Sequence, residues 1–278
     1  MERSERSAMA NDQRSDFFGT QQGFWDEWSD AYRGFSETIA PYRDAQRAMA
    51  RAAVLALGED ARRDSLRILD AGGGAGNLIG PLLEELAARR GNLAGVSYLL
   101  TDGSGRMAAL AGGRVAEIRS RHPGVALEVR QADTLDDGYE SSVGVGAADL
   151  VTCGWNVEYY LPAARARLVN TLARVARPDG TVAFSGAIRL PEGLIFKDVL
   201  MPLGAAQVFH ALLTGGPAKM KKVTRALGLI KEFAIGAASV RFPVKPTLAE
   251  LKDLAAGAGL SAAVAEYCDT SVTAAAID

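Results

Sequence analysis

The chain of 278 residues has only two cysteines and two histidines, almost no net charge and no long apolar run. Each shortage closes a class of answer. Cys153 and Cys268 stand far apart in apolar company, which suits neither a disulfide framework nor a zinc site and fits a reducing cytoplasm. No stretch approaches the roughly 18 uninterrupted apolar residues of a membrane span. A formal net charge of −2 leaves no global field for gripping nucleic acid, so nucleic acid is not an expected partner. Residues 1–16, MERSERSAMANDQRSD, are polar and charged with no apolar h-region; they read as a disordered tail rather than a secretory signal.

What is present is enough for one domain with elaborations: 48% of the residues are hydrophobic, which supports a full core. Residues 17–58 form an expected N-terminal helical cap. Its first part is rich in aromatics, with Trp28, Tyr32 and Phe35 recurring at helical spacing; Pro41 interrupts it, and RDAQRAMARAAVLALG reads as a second amphipathic helix ending at Gly58.

Beyond Gly58 the pattern alternates strand and helix in the manner of a doubly wound sheet. Strands are expected at Arg67–Ala71, Val96–Asp102, Val125–Gln131, Ala148–Gly154 and Thr181–Ala187. Helices are expected at about Asn77–Arg90, Arg106–His122 and Pro162–Ala176. The block from Thr247 reads as one helix and two short strands, which would complete a mostly parallel seven-stranded sheet with helices on both faces. Between strand five and that block, residues 189–246 are too long for a crossover and read as a helical insertion. Within it, Lys219–Phe233 has an apolar stripe ringed by lysines. That stripe fits an ordinary amphipathic helix packed on the core, and it also fits a helix resting on an anionic membrane surface.

The stretch LRILDAGGGAGNLIGPLLEEL, Leu66–Leu86, runs an apolar strand through a glycine-rich turn into a helix. Such turns serve two common clients, a dinucleotide pyrophosphate and the methionine end of S-adenosylmethionine (SAM). The dinucleotide fingerprint G-x-G-x-x-G fits poorly, because its third place falls on Asn77 or on Ile79. The pattern D-x-G-x-G-x-G does fit, as Asp70, Gly72, Gly74 and Gly76. Here the chain resembles the class I SAM-dependent methyltransferases, in register over roughly Ile68–Ser185 and again over Thr247–Ile277.

The resemblance implies a methyltransferase with SAM as cofactor and roles for several residues. Asp70 would meet the cofactor ammonium, beside glycines that let backbone lie against the amino acid part. Asp102, in a D-x-S-x-x-M match with Ser104 and Met107, would accept the ribose hydroxyls, and Met107 would lie near the adenine. Asp133 stands where the family keeps an acid facing the adenine amino group. Asn77, Gly103, Thr134 and Trp155 neighbour these positions and complete the expected cofactor set.

The acceptor is expected among Trp28, Tyr32, Trp155, Tyr159, Tyr160 and His210, under a lid made by the cap and the insertion. Aromatic and aliphatic lining argues for a small hydrophobic or amphipathic acceptor, such as a natural-product intermediate of secondary metabolism, a quinone precursor or a lipid. No metal is needed for this chemistry. An oxygen acceptor would want a base, for which His210, Glu158 and Tyr159 are the candidates. Two other classes remain open from sequence: an oxidoreductase using a nicotinamide cofactor, and a non-catalytic binding protein on the same fold. Cys153 reads as a small core residue, and His122 as a loop residue at the wrong end of the sheet.

Overall fold

The computed structural model describes residues 23–30, 32–33, 36, 40–185, 246–261, 264–268 and 271–277. The expected tail, nearly all of the expected 189–246 insertion, the basic helix expected within it and His210 lie outside the described residues.

Helix α1 covers 23–30. Helix α2 is Ala40–Leu57, so Pro41 sits in its first turn, where a missing N–H costs nothing. A 3-10 turn over Gly58–Arg62 leads into β1, Leu66–Ala71. The alternation then runs α3 (Ile79–Arg90), β2 (Val96–Asp102), α4 (Gly105–Arg121), β3 (Ala126–Gln131), the short α5 (Tyr139–Val143), β4 (Ala148–Cys153), α6 (Pro162–Val175) and β5 (Ala176–Phe184). Helix α7 (Leu248–Gly257) and strands β6 (Val264–Cys268) and β7 (Ser271–Ile277) close the described chain.

The five strands pair in parallel in the order β3-β2-β1-β4-β5. Side chains alternate across each strand, so Ile68 faces one side of β1 and Leu69 the other. On the first side, Ile68, Tyr98, Leu100 and Leu150 pack under α2, α3 and α4, with Val54, Leu82, Leu83 and Ile118 as helix partners. On the second, Leu69, Val151 and Cys153 pack under α5 and α6 with Leu168 and Leu172, and Leu251 of α7 lies against them. Each such side chain contributes about 1.5–3 kcal/mol by leaving water, so α2 is a core helix of the domain as much as part of a cap.

Two expectations need correction. The sheet has five strands rather than seven. Strands β6 and β7 bond antiparallel to each other, Val264 opposite Ile277, in a separate two-stranded sheet beside α2. Two strands with only residues 269–270 between them can satisfy their hydrogen bonds locally, and alternation reveals that strands pair without revealing with what. Strand five also starts earlier than Thr181. Ala176 already pairs with Ala148 and Thr181 with Leu150, so the ARPDG stretch bulges out between two bonded positions.

Candidate functional site

Strand order reverses between β1 and β4, and a crevice opens at the carboxyl ends of the strands, where such sheets bind ligands. Its floor is the turn after β1. Gly72 and Gly74 have φ of 64° and 54°, in the left-handed region. An added Cβ on Gly72 would fall 1.7 Å from Asn156 Nδ2, so the Asn156 amide lies directly on that glycine. On Gly74 it would meet nothing within 4 Å, so the turn offers bare backbone to the open space of the cleft. Gly76 is turned away from the cleft and packs against Ile79 of α3 and Ala111 of α4.

Two strand-end aspartates frame the turn. Asp70, 1% exposed, accepts hydrogen bonds from Tyr98 Oη of β2 and Thr152 Oγ1 of β4, both at 2.8 Å. Asp102 Oδ2 accepts from the Gly74 N–H at 2.8 Å and Oδ1 from the Ser104 N–H at 2.9 Å. Burial raises the pKa of both carboxyls to about 6 against the pull of these donors, and for Asp102 the nearby Asp70 and Asp133 raise it further. After β3, Asp133 Oδ1 accepts the Leu135 N–H at 2.9 Å, fixing the loop that carries Thr134.

The opposite wall is the loop after β4. Trp155 adopts φ of 55°, an unusual conformation for a bulky residue that costs of order 1–3 kcal/mol. Its N–H donates to both the carbonyl (3.1 Å) and the Oγ (3.2 Å) of Ser185, at the end of β5, which holds the turn. Beyond it a 3-10 turn, Val157–Tyr159, brings Tyr159 and Tyr160 to the cleft. Trp25 of α1 meets Tyr159 and Tyr32 edge-on, with ring centroids 5.2 Å apart in both pairs.

Most of the expected residues meet in this one cleft. Asp70, Gly72, Gly74, Asn77, Asp102, Gly103, Met107, Asp133, Thr134 and Trp155 line it, with Tyr32, Tyr159 and Tyr160 on the aromatic side. Three of the expected residues lie elsewhere. Gly76 supports the turn from behind. Trp28 stacks on Phe24 at 6.4 Å, off the cleft, and Trp25 takes its place. Glu158 is buried away from the cleft wall, and its carboxylate with that of Glu250 acts on the buried Arg165, whose Nε bonds the Val157 carbonyl at 3.3 Å. Gln46, Gly73, Leu78, Ser104, Gly154 and Asn156 were missed. The signal for Ser104 lay in the D-x-S-x-x-M match and that for Asn156 in WNVEYY; nothing in α2 singles out Gln46.

Cys153 is fully buried in the core, where burial pushes its thiol up, and His122 ends α4 at the amino edge of the sheet. Among the described residues no three His, Cys, Asp or Glu side chains gather as a metal site, and no helix is long and apolar enough to cross a membrane.

No protein-family model matches the sequence, and no curated protein matches it. Solved structures do match. A magnesium protoporphyrin IX methyltransferase from Synechocystis PCC 6803, solved with bound SAH, is 15% identical with a TM-score of 0.57, over 91% of this chain and 95% of that one. A structure from Nostoc punctiforme PCC 73102 described as an O-methyltransferase is 14% identical with a TM-score of 0.52, over 89% of this chain and 57% of that one. The parallel order β3-β2-β1-β4-β5, the glycine turn after β1 and these two likenesses give the chain the fold of the class I SAM-dependent methyltransferases.

Proposed function

We propose that the chain transfers a methyl group from SAM to a small hydrophobic or amphipathic acceptor. The observation that carries this reading is the charge of the cleft. Its described lining brings together the carboxylates of Asp70, Asp102 and Asp133 with no lysine, arginine or histidine. A wall of that sign favours a ligand bearing sulfonium and ammonium charges and repels the pyrophosphate of a nicotinamide dinucleotide. The SAH held by the Synechocystis structure supports the same choice of cofactor.

The residues present fit that group. Gly74 leaves room where any side chain would intrude. Each Asp102 oxygen already accepts one backbone N–H and keeps a further lone pair for a ribose hydroxyl. We assign Asp70 to the ammonium, Asp133 to the adenine amino group, Met107, Gly103 and Thr134 to the base, and Asn77 and Trp155 to the methionine side. SAM, when bound, supplies an electrophilic methyl on a good leaving group.

The chain's own task is then to orient the acceptor and exclude water. Trp25, Tyr32, Trp155 and Tyr159 form an apolar, polarisable wall suited to both. Of the candidate bases, Tyr159 is the one on the described wall, and we assign its hydroxyl to orient the acceptor by a hydrogen bond, the acceptor's proton leaving to solvent. Acceptors that arrive as neutral amines, activated carbons or acidic hydroxyls ask least of the chain.

Titration calorimetry with SAH and, separately, NADH tests the reading. Binding of SAH with a matching rise in melting temperature is expected, since a ligand of the native state stabilises it by mass action. Binding of NADH alone would transfer the site to a nicotinamide enzyme.

A further inference from the structure

Helix α1 is fastened to the cofactor side of the cleft by two carboxylates a turn apart. Asp26 Oδ1 accepts from Ser104 Oγ at 2.6 Å and from the Arg106 N–H at 3.1 Å. One turn on, Asp30 Oδ2 accepts from Arg106 Nη2 at 2.9 Å. Ser104 caps α4: its Oγ also accepts the Met107 N–H at 3.0 Å, while its own N–H is held by Asp102. Hydrogen bonds therefore run without a gap from the Gly74 turn through Asp102 and Ser104 to Asp26. Beside Asp26 in the chain, Trp25 reaches across the cleft to Tyr159.

We infer that Asp26 is a positioning residue: it latches α1 to the rim of the cofactor cradle and so sets where Trp25 stands over the acceptor. Charge and geometry favour Asp26 as the latch over its neighbour Asp30. Its carboxylate meets the positive end of a 17-residue helix and two donors, one from a side chain only 3% exposed. The Asp30–Arg106 pair is more than half exposed on both sides and contributes little alone. Because Asp102 and Ser104 belong to both cradle and latch, a ligand on Asp102 stiffens the hold on α1. The cofactor would then order the wall that the acceptor meets. That last step rests on the SAM reading, whereas the latch does not.

Hydrogen exchange of the full chain, with and without SAH, tests it in Asp26→Ala and Asp26→Asn. Asparagine keeps a carbonyl oxygen for both donors and alanine keeps none. Asp26→Ala should raise exchange over 23–30 by about tenfold, the loss of a hydrogen bond to a charged group, leave α3 unchanged and weaken SAH binding severalfold. Asp26→Asn should restore most of both. Unchanged exchange at 23–30 in Asp26→Ala would overturn the inference, as would an asparagine variant as open as the alanine one. Opening of α1 in a protein that binds no SAH would uphold the latch while refuting the cofactor.

Discussion

At the amino end of the sheet, Asp149 of β4 is surrounded by positive charge. Its Oδ1 lies 2.7 Å from Arg177 Nε and 3.5 Å from Arg63 Nη1, and its Oδ2 accepts the Arg67 N–H at 2.8 Å, tying β4 to β1. At the carboxyl end stand Asp70, buried, and Asp102, at the cleft, and among the described residues their partners are hydroxyls and backbone N–H groups alone. The first arrangement is complete in itself. The second holds two carboxylates at a pKa of about 6, uncompensated by any arginine or lysine of the described fold. Buried charge left without a counter-charge costs stability, and a cationic ligand is what would offset that cost.

The largest effect should come from the amino end. Asp149→Ala leaves the Arg67 N–H without its acceptor and removes one of two carboxylates from Arg177, the other being Asp60. A loss of about 3 kcal/mol in urea unfolding is expected, at the low end for breaking a buried pair. Asp102→Ala should behave differently. It should weaken SAH by about 1.5–3 kcal/mol, or roughly 10–150-fold, in calorimetry. A smaller stability loss should accompany it, because Asp102 also holds the Gly74 and Ser104 amides.

Acid should favour the fold through the carboxyl end. A carboxyl whose folded pKa is raised gives its full stability below the unfolded value, near 4, and loses it as pH rises through about 6. For Asp70 the whole shift amounts to about 3 kcal/mol, of which roughly half is recovered on lowering pH from 7.5 to 5. The ligand-free protein should therefore gain stability over that window, and Asp70→Asn should flatten the gain. The smallest effect is expected at Gly74→Ala. An open position with φ of 54° costs about 1–2 kcal/mol of folding stability, but its new methyl enters the cleft and should weaken SAH further.

Where the chain's own pattern governs structure, the sequence was legible. Strand β2 begins and ends at Val96 and Asp102 as expected, because a buried parallel strand reads as an apolar run and its polar end marks the ligand edge. The glycine turn and the acids at the ends of three strands were legible for the same reason. What escaped was set by partners distant in sequence. Spacing identifies an aromatic face on α1 but not which ring meets the cleft; in the fold Asp26 bonds Ser104 and Arg106, Trp25 faces the cleft and Trp28 packs on Phe24. Glu158 looked like a base in an aromatic loop, but the fold buries it off the cleft wall, where its charge acts on Arg165 of α6. The hairpin of β6 and β7 shows the same limit at the level of the sheet.

The central claim is that the carboxylates at the ligand edge await a cation. Calorimetric titration of SAH at pH 7.5 and at pH 5 tests it most directly. Binding is predicted at pH 7.5, weakening at pH 5 by about tenfold for each carboxylate that must give up its proton, and less steeply in Asp70→Asn. No binding at pH 7.5, or an affinity indifferent to pH, would contradict the account.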